Sequence, residues 1–145
     1  MINQGSDELR ELIRILVRNL GILEKSDASC CGVTIPQCHA IVEIGRMKRI
    51  SLIELADLLG LDKSTMSRTI NNLVEAYFVT RDLDTKNRKY VSIQLTDSGM
   101  KAFHNIEESM NQYYQSVFSS IAENKRSQIL ESFELLTAAV KKNKR

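Results

Sequence analysis

Two short helices in close succession, both with marked ends, constrain this chain more than any other feature. Ser51 stands three residues before Glu54, the spacing of a capping box, and apolar residues then recur at helical spacing as far as Gly60. Glycine readily takes the left-handed conformation that ends a helix. Asp62 follows and can cap a second helix by accepting hydrogen bonds from its first N–H groups. The sequence therefore predicts a helix-turn-helix.

The second of these helices has one apolar side and one polar side. Met66, Ile70, Leu73 and Val74 recur at spacings of three and four and predict the buried side. The other side carries hydroxyl, amide and cationic groups, which suit phosphates and base edges in a major groove, although they also suit an ordinary solvated helix. The predicted reading face comprises Lys63, Ser64, Thr65, Ser67, Arg68, Asn71 and Asn72.

A β-hairpin is predicted directly after this helix. Residues 77–81 and 90–95 are rich in strand-forming side chains, and the second run alternates apolar with polar residues. The polar stretch between them has a basic tip. Such a wing beside a reading helix adds contacts along the DNA backbone or in the minor groove. The predicted wing contacts are Arg81, Lys86, Arg88 and Lys89.

These segments resemble the winged helix of MarR-type bacterial transcription regulators. The resemblance rests on residues 58–68, on Leu73-Val74-Glu75, and on Asn87-Arg88-Lys89 followed by residues 91–99, and it covers most of the chain. It implies a DNA-binding regulator that dimerises through its first and last helices and binds its effector between those helices and the winged helix. The family usually has Asp-x-Arg where this chain has Asn87-Arg88-Lys89. Because lysine lacks the planar fork of arginine, we expect Arg88 to have taken over that wing contact.

Amphipathic helices are predicted on both sides of the winged helix. One runs from Asp7 to about Leu23, and two long ones follow Thr96, which caps the first of them, with a break near Asn124. Their apolar stripes exceed what one small core needs. We therefore expect a symmetric dimer that holds two reading helices about 34 Å apart on a palindromic operator. A helical monomer with a larger core is the alternative.

The predicted fold is mostly α with a small β-hairpin wing. A length of 145 residues fits one domain, residues 1–145. Within it, we expect a winged helix-turn-helix at 34–99, flanked by dimerisation helices at 7–24 and 100–142.

A further capping box lies just before the winged helix. Thr34 and Gln37 predict a helix over residues 35–44, which we expect to end at Gly45. All three cysteines lie nearby: Cys30 and Cys31 in the expected loop before this helix, and Cys38 near its positive end. A helix N-terminus stabilises a thiolate.

This cysteine cluster suits several kinds of thiol chemistry. Thiolates favour zinc and copper(I), and a set of three suits trigonal arsenite. The spacing also resembles the inducer sites of arsenic-responsive winged-helix repressors, a different family. An oxidant could instead join Cys38 to Cys30 or Cys31 in a disulfide. Simple packing of small buried residues is the alternative. His39 is a weaker ligand candidate, because adjacent helical residues point about 100° apart.

Composition and missing motifs limit the other functions. A net charge of +2 is only mildly basic, but cations cluster at Arg46, Lys48 and Arg49 and on the wing. No segment suits a membrane span or a signal peptide, so we expect a cytoplasmic protein with no membrane partner and reduced cysteines. The chain has no phosphate loop, HExxH motif or serine elbow, so we expect no catalysis and no required cofactor.

The sequence thus predicts a homodimeric repressor that binds double-stranded operator DNA. A thiol-directed signal at Cys30, Cys31 and Cys38, either a soft metal or metalloid such as arsenite, zinc or copper or an oxidant, would release it. The alternatives are release by a small organic ligand, with the cysteines structural, and, more remotely, a thiol-dependent enzyme or a protein-binding winged helix.

Overall fold

Helices make up most of the chain, and three short strands form one antiparallel sheet. The computed structural model describes residues 2–83 and 91–144, with side chains at 4–20, 32–83 and 91–144. The helices within these ranges are α1 (Ile2–Cys31), α2 (Ile35–Met47), α3 (Leu52–Leu59), α4 (Lys63–Glu75), α5 (Asp97–Ser119) and α6 (Arg126–Lys142). The strands are β1 (Ile50–Ser51), β2 (Val79–Leu83) and β3 (Val91–Leu95), in the order β1-β3-β2. The predicted mostly helical fold with a small wing is confirmed.

Two compact units divide the chain, Met1–Glu108 and Ser109–Arg145. The first unit contains the winged helix and its core. Apolar side chains from α2, α3, α4, β3 and α5 meet there with almost no solvent exposure, so the two helices of the helix-turn-helix rest on one shared core. The most deeply buried large side chains are Ile41, Ile44, Leu55, Met66, Ile70, Leu73, Val79, Ile93 and Ile106.

Helix α1 is longer than predicted, and it includes two of the three cysteines. The helix continues through Cys31, so the prediction that Cys30 and Cys31 lie in a loop is wrong. Residues 24–31 lack an apolar stripe, but they also lack glycine and proline, and nothing ends the helix before Gly32. Gly32 adopts a φ of 70°, the left-handed conformation that suits glycine after a helix end.

Helix α2 begins as predicted and ends later. The Thr34 hydroxyl accepts from the Gln37 N–H at 3.3 Å, and the Gln37 carbonyl Oε1 accepts from the Thr34 N–H at 3.0 Å. The helix does not end at Gly45 but continues to Met47. A Cβ atom on Gly45 would lie 2.4 Å from Cδ2 of Phe103 on α5. The glycine therefore permits close helix packing and does not end the helix.

Strand β2 begins two residues later than predicted, because residues 77 and 78 close α4. Tyr77 and Phe78 donate their N–H groups to the carbonyls of Val74 and Leu73, which closes α4 in a Schellman motif. Tyr77 takes the left-handed position of that motif, with φ 65°. Strand β2 therefore begins at Val79. The sheet also contains β1, which sequence reasoning missed, with Ile50 opposite Ile93.

The second unit consists of the end of α5, a 3₁₀ turn at Glu123–Lys125, and α6. Arg126 closes α5: its Nε donates to the carbonyls of Phe118 and Ile121 at 3.1 and 3.0 Å, and its Nη2 donates to that of Ser119 at 3.3 Å. The guanidinium also lies 5.3 Å from the centre of the Phe118 ring. The predicted break near Asn124 is confirmed. Across the described residues, no helix is long and apolar enough to cross a bilayer.

Candidate DNA-binding surface

The residues predicted to cap α3 and α4 take those capping positions in the structure. The Ser51 hydroxyl accepts from the Glu54 N–H at 3.1 Å and caps α3. At its other end, Gly60 is left-handed with φ 68°, and the N–H of Leu61 reaches the carbonyl of Ala56 at 2.9 Å. Asp62 follows in an extended conformation and caps α4. The predicted helix-turn-helix is thus present.

Asp62 and Thr65 fix the first turn of α4. The carboxylate accepts from the Thr65 N–H at 3.2 Å and from the Thr65 hydroxyl at 2.5 Å. These bonds, the hydroxyl first and the N–H second, lower the pKa of Asp62 below its ordinary value. The hydroxyl proton of Thr65 is therefore already engaged within the protein, and only its oxygen lone pairs could face DNA.

Helix α4 has a buried side and an exposed polar side. Met66, Ile70 and Leu73 are buried, as predicted, and Val74 is half-buried. Thr69 is also buried, which sequence reasoning missed; its hydroxyl donates to the Thr65 carbonyl at 3.0 Å, so its polar group is satisfied within the helix. Of the predicted reading face, Thr65 and Ser67 are half-buried, and the exposed members are Lys63, Ser64, Arg68, Asn71 and Asn72.

One hydrogen bond joins this reading face to the wing. Arg81 on β2 donates from Nη1 to Oδ1 of Asn71 on α4, and both side chains are exposed. The structure thus brings together two residues that were predicted separately. The other wing contacts, Lys86, Arg88 and Lys89, lie outside the described residues.

Known proteins with similar sequences and structures are transcription regulators. The model described as "MarR family" matches residues 33–91. The transcriptional regulator BilQ of Clostridium symbiosum is 23% identical over 112 residues, which cover 77% of this chain and 78% of that protein. A MarR transcriptional regulator from Methanosarcina mazei Go1 is 25% identical, covers 95% of this chain and 99% of its own, and has a TM-score of 0.81.

In sequence and in fold, this chain is similar to the MarR family of transcriptional regulators. A further structure, that of Streptococcus pneumoniae FabT in complex with DNA, has a TM-score of 0.85 at 15% identity and covers 96% of this chain and 99% of its own. At that identity the likeness shows the shared fold. The family resemblance seen in residues 58–99 is confirmed.

The basic cluster before α3 is partly paired with carboxylates. Arg49 lies 3.8 Å from Asp82 on β2, and Arg46 lies 3.6 Å from Glu43 on α2. Exposed pairs of this kind contribute less than about 1 kcal/mol. The contact between Arg49 and Asp82 joins the link before β1 to strand β2 of the wing. The sequence carries no local signal for it, because the two residues are far apart in the chain.

The three cysteines lie at the junction of α1 and α2. Cys38 is 8% exposed, and its backbone N–H donates to the Thr34 carbonyl at 2.8 Å. His39, the next residue, is exposed. The backbone of Cys30 and Cys31 forms the end of α1, but their side chains lie outside the described set. The side chains that are described contain no group of three His, Cys, Asp or Glu placed to hold a metal. The three-thiol site stays a prediction.

A cavity of 430 Å³ lies between α4 and the sheet. Its wall is largely apolar, with one cation and one carboxylate at the wing side. The lining residues are Leu52, Ser67, Ile70, Arg81, Asp82, Leu83 and Val91.

Proposed function

We propose that this MarR-like protein is a homodimeric repressor that binds a palindromic operator through α4 and the wing. The observation that carries the proposal is the exposed polar face of α4. Because Met66, Ile70 and Leu73 anchor the opposite side in the core, this face is held rigidly, as a reading helix requires. Its side chains include cations for phosphates and donors for base edges.

Exposed apolar side chains on the terminal helices support the dimer. Leu12 and Val17 on α1 are 59% and 60% exposed, and Leu130 and Phe133 on α6 are 54% and 46% exposed. A single chain that leaves this much apolar surface in water gains free energy by burying it against a second copy. A two-fold dimer would present two copies of α4 to two half-sites.

Binding to the DNA upstream of the protein's own gene tests the reading helix. We expect Arg68→Ala to weaken operator binding by about 1–3 kcal/mol, because the exposed guanidinium lies in the middle of the polar face. Lys125→Ala is the matched control: it also removes one exposed cation, but in the 3₁₀ turn of the second unit. Equal affinities of wild type and Arg68→Ala would remove Arg68 from the reading face.

The same fragment tests repression. An occupied operator that overlaps the promoter should block transcription in a purified system, and Arg68→Ala should restore it. Stimulation of transcription by the wild-type protein would show that the regulator is an activator.

We further propose that a thiol-directed signal at Cys30, Cys31 and Cys38 releases the DNA. The position of the cysteines at the α1–α2 junction supports this, because α2 packs in the core that also carries α4. Arsenite, zinc, copper(I) or an oxidant should release wild-type protein from the operator, whereas a variant with Cys30→Ser, Cys31→Ser and Cys38→Ala should bind and stay bound. Alanine suits position 38 because a serine hydroxyl would be buried there. Normal release of the triple variant would exclude the thiol signal.

A small organic effector is the second candidate, and the cavity beside α4 favours it. An apolar wall with Arg81 at one side suits a small aromatic or aliphatic anion. If such a ligand is the signal, release should survive in the triple cysteine variant and be lost when Val91→Phe reduces the cavity from the sheet side.

A further inference from the structure

We infer that Asn71 reads DNA only as a hydrogen-bond donor and that Arg81 is a positioning residue, which sets the orientation of the Asn71 amide. The inference rests on the proposed function of α4 and names how one of its residues recognises a base. The sequence predicts Asn71 and Arg81 as two separate DNA contacts, one on the reading face and one on the wing. The structure joins them by a hydrogen bond between the reading helix and the wing.

The strand register explains why Arg81 points toward α4. Arg81 stands directly opposite Ile93 in the β2–β3 ladder, and opposite residues share one face of a sheet. Ile93 is fully buried, as is Val79 two residues before Arg81, so this face is the one that packs on the core. Arg81 also lines the cavity with Ser67 and Ile70 of α4. Its side chain therefore leaves the sheet toward α4, and its guanidinium ends at Asn71.

The chemistry of the two groups fixes the orientation of the amide. Guanidinium has five N–H donors and no acceptor, so only the Oδ1 atom of Asn71 can face it. The hydrogen bond is strengthened by the charge of Arg81. Oδ1 therefore lies toward the wing, and the two N–H groups of Nδ2 are directed elsewhere on the exposed face of α4.

This orientation limits what Asn71 can recognise. Asparagine reads adenine by donating to N7 while its oxygen accepts from the N6 amino group. With Oδ1 engaged by Arg81, Asn71 offers N–H donors, which suit the acceptors of the major groove: purine N7, guanine O6 and thymine O4. Amino groups of cytosine and adenine offer no acceptor to it. We thus assign Asn71 to a major-groove position at which the operator must present an acceptor atom and not an amino group.

Operator variants provide the first test. Wild-type protein would select its site from random-sequence DNA, and the affinity for all four base pairs would be measured at each position. Asn71→Ala should reduce the preference at one base pair of each half-site by about fivefold to tenfold. Asn71→Asp keeps an acceptor for Arg81 but removes the donors, so it should lose the same preference. A preference retained by Asn71→Asp would overturn the donor assignment.

Salt dependence provides the second test, because it separates positioning from phosphate contact. Loss of a phosphate contact weakens binding to all sequences and lowers the slope of log affinity against log salt by about one. As a positioning residue, Arg81 behaves differently: Arg81→Ala should lose the Asn71-dependent base preference with a much smaller change in slope. The double variant Asn71→Ala/Arg81→Ala should show the same base preference as Asn71→Ala alone, since both changes act through one group.

The results that would overturn the role of Arg81 differ from those that would overturn the proposed function. A slope change of about one with uniform loss of affinity, or an intact base preference in Arg81→Ala, would overturn the positioning role. Because both side chains are exposed, the variants should unfold at nearly the wild-type temperature, and a thermal melt checks this. If the wild-type protein selects no sequence at all, the proposed function itself fails before any variant is compared, and this inference fails with it.

Discussion

Tyr77, just after the reading helix, has a positive φ, which is uncommon for a residue other than glycine. It adopts φ 65° at a Schellman position where glycine is favoured, and its side chain is 79% exposed. A Cβ atom in this region costs roughly 1–2 kcal/mol. The conformation persists because hydrogen bonds on both sides hold it: the Tyr77 N–H reaches the Val74 carbonyl at 3.0 Å, and the Tyr77 carbonyl accepts from the Thr96 hydroxyl at 2.6 Å.

Tyr77→Gly should therefore stabilise the protein by about 0.5–1 kcal/mol, the relief of strain less the larger entropy loss of glycine. The neighbouring change Ala76→Gly is the control. Ala76 has φ −83°, where glycine brings no relief, so that variant should be less stable than wild type. Urea unfolding at one protein concentration measures both. A loss of stability in Tyr77→Gly would show that the tyrosine side chain makes a favourable contact.

Asp62 links the stability of the reading helix to pH. Its pKa is lower in the folded state, chiefly because the Thr65 hydroxyl bonds to the carboxylate. A group of this kind stabilises the fold fully above its unfolded pKa, near 3.8, and the contribution is lost as the pH falls through the lower folded value.

Asp62→Ala should accordingly lower the melting temperature at pH 7, and its difference from wild type should narrow below about pH 4. Asp62→Asn is the matched variant, because its amide oxygen can still cap α4 without a charge. It should lie between the other two at pH 7. A difference between wild type and Asp62→Ala that stays constant down to pH 3 would contradict a charged cap.

At the level of helices and strands, Gly99 and Gly45 mark two places where α5 packs closely on a neighbouring segment. Gly99 on α5 lies against the backbone of Phe78, and a Cβ there would be 2.0 Å from the Phe78 carbonyl oxygen. That carbonyl also accepts from the Thr96 N–H at 3.0 Å, so it cannot easily move. At Gly45 the neighbouring group is the Phe103 ring, a side chain that can rotate.

We expect Gly99→Ala to destabilise the protein by about 3 kcal/mol or more and Gly45→Ala by about 1–3 kcal/mol, because only the second clash can relax through a side chain. Gly5→Ala is the control: it lies in α1 with nothing within 4 Å of a new Cβ. Alanine favours a helix there, so this variant should gain about 0.5 kcal/mol. Chemical denaturation of the three proteins checks the order. Equal stability of Gly99→Ala and wild type would mean that α5 and Phe78 can separate freely.

For the molecule as a whole, many apolar side chains of the terminal helices are exposed, whereas those of the winged helix form a buried core. The core lies in residues 1–108, whereas no apolar side chain among the described residues of 109–144 is fully buried. Helices with exposed apolar stripes are stabilised chiefly by packing against another surface. In the proposed dimer, a second copy supplies that surface.

Leu130→Glu should thus weaken the dimer, because it places a charge on an apolar stripe of α6. Leu83→Glu is the control, since Leu83 is 66% exposed on the wing and lies outside the proposed interface. Sedimentation equilibrium of wild type and both variants measures the association. A wild-type monomer, or a dimer equally tight in Leu130→Glu, would contradict an interface through α6.

The sequence by itself determined the helix-turn-helix and the polar face of its second helix. Ser51, Gly60, Asp62 and Thr96 act on neighbours three or four residues away, and such local interactions can be read from residue order. It also placed the break between the last two helices. The family resemblance rested on the same local features, which is why it was confirmed.

Only the tertiary structure decided which distant residues meet. The bond between Asn71 and Arg81, the pairing of β1 with β3, and the use of Gly45 for packing each depend on how separate elements approach one another. No local pattern encodes such an approach, because the same residues would suit a solvated surface, a helix cap or a helix end. Glycine at 45 and tyrosine at 77 were misread for this reason: the physical requirement at each position comes from neighbouring elements and from the closure of a helix, not from the periodicity of the residues beside it.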